Sequence, residues 1–139
     1  MALPELAAAM VLAAVSATAS PAPAFTLQDP ALTEASGLAV SGRHPGIVWT
    51  HNDGGAVAQL RALDRDGRTV AVVTLAGVDP YDPEALAPFT PSGGKPELWL
   101  GDIGDNSARR SDISVFRVEE PQRLVDQTVH SVQYRLRYP

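Results

Sequence analysis

The chain has 139 residues, of which 45% are hydrophobic and 19% charged, with twelve Pro, eleven Gly and no Cys. That length allows one domain, and the composition is that of a globular chain rather than a disordered one. A formal net charge of −5 without a polybasic cluster argues against nucleic acid or an anionic membrane as partner. The lack of Cys excludes a disulfide framework, a thiolate metal site and a lipidated N-terminal Cys, so no stable membrane anchor is expected.

Residues 1–24 differ from the rest. Leu6 to Val15 (LAAAMVLAAV) is apolar and too short to span a bilayer. Ala17-Thr18-Ala19 and Ala22-Pro23-Ala24 both fit an A-x-A cleavage pattern. The segment reads as a secretory signal peptide, with a disordered Ala-rich leader as the alternative, and the expected location is extracellular. One departure is an n-region that carries Glu5 and no Lys or Arg.

From residue 25 onward, short apolar runs alternate with turn signals. Strands are predicted at Gly37–Val40, Ile47–Thr50, Gln59–Asp64 and Val70–Leu75. Between them lie His44-Pro45-Gly46, a type II turn pattern, then Asn52-Asp53-Gly54-Gly55 and the hairpin signal Asp66-Gly67. The pattern then starts again at Glu84–Pro88, Glu97–Leu100, Ile113–Val118 and Ser131–Tyr138. Ser36-Gly37-Leu38-Ala39 aligns with Glu84-Ala85-Leu86-Ala87, and Val48-Trp49-Thr50 with Leu98-Trp99-Leu100. A repeat of about 45–50 residues with four strands each is the pattern of propeller blades. The expected fold is all-β: a β-propeller fragment of about two four-stranded antiparallel blades, blade one at about 32–78 and blade two at about 79–139. A single eight-stranded barrel or sandwich is the alternative.

In such blades the end of the second strand, the start of the first and the connection between blades share one rim. That rim would gather Ser36, His51, Asn52, Asp53, Glu84, the stretch GDIGDN (Gly101 to Asn106), Arg109 and Arg110. Asp53, Glu84, Asp102, Asp105 and Asn106 offer hard oxygen ligands of the kind Ca²⁺ takes. The competing reading is that these residues cap loops through Asx-type hydrogen bonds, with the two arginines as counter-charge. Ser36, His51 and Asp53 contain the residue types of a hydrolytic triad, but no G-x-S-x-G elbow accompanies them. Asp64-Arg65-Asp66-Gly67 resembles the start of an EF-hand loop, yet Leu75 stands where the twelfth-position Glu belongs, so a hairpin is expected there.

Taken together, SGLAVSGRHPGIVWTHNDGG, LDRDGRTVAVVTLAG, DPEALA, LWLGDIGDNSARR and ISVFRVEEP resemble secreted, mostly actinobacterial WD40-like β-propeller proteins. That group is related to the family called esterase-like activity of phytase. The resemblance runs from about Leu27 to Pro139 and corresponds to the N-terminal portion of family members, which continue further. Where the family often has D-W-E, this chain has Asp82-Pro83-Glu84. The resemblance implies a propeller that binds an unknown extracellular ligand, with or without a divalent metal. It also leaves open a metal-dependent phosphatase or esterase, and a truncated, non-functional product. Because two blades do not close a ring, the second blade face is expected to be uncovered and to promote self-association.

Overall fold

The computed structural model describes residues 23–54 and 57–139, so residues 1–22, which hold nearly all of the expected leader, lie outside it. Among the described residues there is no helix, and nine strands form two sheets. The first sheet contains β1 (Ala35–Val40), β2 (Val48–Asn52), β3 (Gln59–Leu63), β4 (Thr69–Leu75) and, at its far edge, β8 (Gln127–Val129). The second contains β5 (Pro83–Phe89), β6 (Glu97–Asp102), β7 (Asp112–Glu119) and β9 (Val132–Arg137).

All eight expected strands are present, and the turns between them carry the expected chemistry. Ile47 N–H donates to the carbonyl of His44 across the β1–β2 turn, with Gly46 at φ 85°, where a side chain would be strained. Asp64 Oδ1 accepts the N–H groups of Asp66 and Arg68 at 2.9 Å each, and Gly67 has φ 79°, which makes the Asp64–Gly67 stretch a hairpin turn. The all-β class holds, but the first sheet has five strands rather than four, and its last pair is parallel. β8 comes from the β7–β9 connection and reaches back to β4, so the units 32–78 and 79–139 are interleaved there. Val72 N–H donates to Asp126 and Ala76 N–H to the carbonyl of Val129, which satisfies an edge that β4 would otherwise leave open. The two sheets are not closed into a ring.

The sheets stack face to face. From the first sheet Ala39, Trp49, Leu60, Ala62, Ala71, Val73 and Leu75 are buried, and from the second Leu86, Leu98, Leu100, Phe116 and Val118. These positions alternate along each strand, as the two-residue period of a half-buried strand demands. The β1–β2 and β5–β6 pairs share one register. Ala39 lies opposite Trp49 and Ala87 opposite Trp99, with an irregularity between Ala35 and Gly37 and another between Pro83 and Ala85.

Glu120, just after β7, ties the sheets together while 1% exposed. One carboxylate oxygen accepts from Trp49 Nε1 at 2.8 Å and from the Ser41 hydroxyl; the other accepts from Gly42 N at 2.9 Å and Arg43 N at 3.1 Å. Gly37 lies where the two sheets approach closely. A Cβ there would fall 2.6 Å from His51 Nε2, 2.7 Å from Leu86 N and 2.9 Å from Leu86 Cβ. Two of those contacts involve the neighbouring strand itself, which cannot swing aside. Gly37→Ala is therefore expected to cost about 1–3 kcal/mol, read as a lower urea midpoint; an unchanged midpoint would contradict this packing.

Candidate functional site

One end of the stack collects the loop after β2, the β4–β5 connection and the loop after β6. Asp102, the last residue of β6, is 4% exposed. Its Oδ1 accepts from Asp82 N at 2.8 Å and from Arg110 Nη1 at 2.9 Å, and its Oδ2 accepts from Tyr81 N at 3.3 Å. Burial pushes the Asp102 carboxyl up, but the Arg110 hydrogen bond and the two backbone donors outweigh it and hold the group below its ordinary value. Arg110 also donates to the carbonyls of Gly104 (3.0 Å) and Asp112 (3.1 Å), and its guanidinium lies 5.1 Å from the Tyr81 ring centroid.

Asp105 closes the next loop. Its carboxylate accepts from Arg109 N at 2.9 Å and Arg110 N at 2.8 Å, and these bonds set its carboxyl below its ordinary value. Asn106 and the Arg109 side chain are exposed. In GDIGDN, then, the two aspartates serve protein donors: one pairs with arginine and the other caps its own loop.

A different set of carboxylates converges beside it. Asp53, Asp82 and Glu84 each place one oxygen within 4.8 Å of the other two, and all three residues are partly buried. Asp82 is positioned from several sides. Its N–H goes to Asp102, its carbonyl accepts from Gly104 N at 2.9 Å, and its carboxyl group presses on Gly104. A Cβ on Gly104 would fall 2.3 Å from Asp82 Cγ, so a side chain there would push the Asp82 carboxyl group out of its place. Burial, a hydrogen bond shared with Asp53, and the charges of Asp53, Glu84 and Asp102 all push the Asp82 carboxyl above its ordinary value. Sequence reasoning selected Asp53 and Glu84 but passed over Asp82, although the segment Asp82-Pro83-Glu84 carried the signal.

The remaining rim residues have structural partners. Ser36 Oγ donates to the carbonyl of Pro83 at 3.2 Å. His51 is 2% exposed; its Nδ1–H donates to the carbonyl of Asn52 at 2.9 Å, and its buried Nε2 meets no hydrogen-bond partner among the described residues. Burial holds His51 below its ordinary pKa even though the Asn52 carbonyl, Asp53 and Glu84 act the other way. Ser36 and His51 therefore form no nucleophile–base pair. Asn52 anchors the N-terminal segment, donating to Ala31 O at 2.7 Å and accepting from Glu34 N at 3.3 Å. A cavity of about 260 Å³ adjoins this end, lined by His51, Asn52, Arg61, Pro80, Pro83 and Leu100 among others. Comparison of the chain with protein-family models, curated proteins and solved structures finds no match.

Proposed function

We propose that the protein is an exported, non-catalytic binding module of propeller-blade type that holds a divalent cation, Ca²⁺ foremost, on Asp53, Asp82 and Glu84. The observation that carries this reading is the convergence of three carboxylates on one point. The strongest influences on Asp82 are burial and three further carboxylates, while Arg110 is engaged by Asp102. Like charges held together favour either a shared proton or a metal ion. The donor set fits Ca²⁺, a hard cation that takes about six to eight oxygens, with the remaining positions open to carbonyls and water. The shared register of the β1–β2 and β5–β6 pairs supports the blade reading.

The test is a Ca²⁺ titration by calorimetry and thermal unfolding on the wild type and on Asp82→Asn. Because folding raises the Asp82 pKa, the folded state binds that proton more tightly than the unfolded chain. Ionised Asp82 therefore weakens the cation-free fold at neutral pH, and the penalty disappears as pH falls through the raised pKa toward 3.8. Asp82→Asn is expected to raise the melting temperature without Ca²⁺ and to abolish the Ca²⁺-dependent rise seen in the wild type. At about 100 times Kd that rise corresponds to ~2.7 kcal/mol. Binding should weaken as pH falls, because protons compete with the cation for the carboxylates. No heat from the wild type, or equal heats from both proteins, would remove the cation reading.

A further inference from the structure

The two sheets treat their last antiparallel strands differently. β4 is closed over by β8, which lies parallel to it with Gln127, Thr128 and Val129 beside Val73, Thr74 and Leu75. Asp126 Oδ1 accepts from Val72 N and Val129 O accepts from Ala76 N, both at 2.8 Å, and the Val129 side chain packs against the core. With the sheets matched at Trp49 and Trp99, their registers lay Val72, Val73, Thr74 and Leu75 over Gln133, Tyr134, Arg135 and Leu136, and Ala76 over Arg137. β9 therefore stands in the second sheet where β4 stands in the first. The N–H groups of Gln133, Arg135 and Arg137 point outward, as those of Val72 and Ala76 do, and no other segment pairs with them among the described residues.

This edge is fit for pairing. All six residues of β9 are exposed, the strand holds no Pro, and its pairing with β7 runs without irregularity. Val132, Tyr134 and Leu136 turn to one face, where Tyr134 stacks on Trp99 at 5.5 Å. Gln133, Arg135 and Arg137 turn to the other. There Asp112 lies opposite Arg137 and pairs with Arg135 at 2.6 Å, so β7 sets one carboxylate against two guanidiniums. A hollow of about 220 Å³, lined by Asp112, Arg135, Leu136 and Arg137, opens beside them. In a chain of net charge −5 this edge is locally basic.

We propose that the free edge of β9 takes up an extended acidic segment of a partner protein as a parallel fifth strand, in the way β4 takes up β8. A carboxylate at the start of the segment caps the Gln133 N–H, as Asp126 caps that of Val72. The residues that follow lie beside Tyr134, Arg135, Leu136 and Arg137 in turn, so the segment alternates apolar with acidic side chains. Opposite charges side by side on neighbouring strands favour the pairing, and like charges oppose it. A second copy is the poorer occupant, because antiparallel pairing of two β9 strands puts Arg135 and Arg137 of both chains on one face. The arginines thus guard the edge against its own kind while selecting an acidic strand. The proposal is independent of the cation site, and the experiment is done in chelator.

Two acetylated, amidated peptides serve as probes, Asp-Val-Glu-Val-Glu-Val and Asp-Val-Lys-Val-Lys-Val, titrated into the full chain and followed by amide NMR. The acidic peptide should shift the amides of Gln133, Arg135 and Arg137 and, at about ten times Kd, slow their exchange about tenfold; the lysine peptide should do neither. Arg135→Glu with Arg137→Glu should reverse that preference. Arg135→Pro removes an outward N–H and should weaken binding of the acidic peptide while the pairing with β7 persists; both positions are exposed, so folding is spared. Equal binding of the two peptides, no binding of the acidic one, or binding that survives the charge reversal would overturn the proposal. So would shifts confined to the Trp99–Tyr134 face without slowed exchange at the edge. A wild-type mass above that of one chain in light scattering, reduced to one chain by Arg135→Pro, would overturn it too and make a second copy the occupant.

Discussion

Replacing Glu120 by Ala should destabilise the fold by about 3–5 kcal/mol. The residue is 1% exposed, and its carboxylate receives the Trp49 indole, the Ser41 hydroxyl and the backbone N–H groups of Gly42 and Arg43. Removing it leaves those donors facing a void between the sheets, and each unsatisfied group costs about 1–3 kcal/mol. Glu120→Gln should recover only part of the loss. Donors approach both carboxylate oxygens, so whichever way the amide turns, its NH₂ meets another donor. Urea unfolding of the three proteins decides the matter. A loss under about 1 kcal/mol for the Ala variant, or full recovery by Gln, would show that Glu120 is not the tie between the sheets.

The second large effect belongs to Asp102. Its pair with Arg110 leaves the two side chains 6% and 12% exposed, and removing one member of a buried pair costs about 3–5 kcal/mol. Asp102→Ala is expected to show that loss with or without Ca²⁺, because the carboxylate serves Arg110 and the Tyr81–Asp82 backbone rather than an ion. The pH dependence has a definite sign. The folded-state pKa of Asp102 lies below 3.8, so its contribution is complete well above that value and is lost as pH falls through and below it. The variant's stability should therefore converge on that of the wild type in acid. If Asp102→Ala removed Ca²⁺ binding while leaving apo stability unchanged, the roles assigned to Asp102 and Asp82 would have to be exchanged.

The strands and turns were legible because they rest on local chemistry. ISVFRV alternates, Asp66-Gly67 and Pro45-Gly46 fix their own turns, and the paired tryptophans sit at matching registers. β8 was not legible: Gln127–Val129 is three residues long, has no alternation to display and is specified by an edge more than fifty residues away. The rim was foreseen as a place but not in its partition among residues. That Asp102 faces Arg110 while Asp82 faces Asp53 depends on where the Gly104 loop lets the Asp82 side chain lie. Sequence spacing carries no trace of that choice.

The parallel pairing of β8 with β4 also bears on how the chain is made. Val72 finds its partner at Asp126, and Trp49 waits for Glu120. During synthesis the first sheet stays unfinished until the β7–β9 connection has left the ribosome. Its apolar face and its outer edge are open through the same interval. Closing loops of that length before any contact repays them is slow, and the Val72 edge and the Trp49 indole are covered only once it has happened.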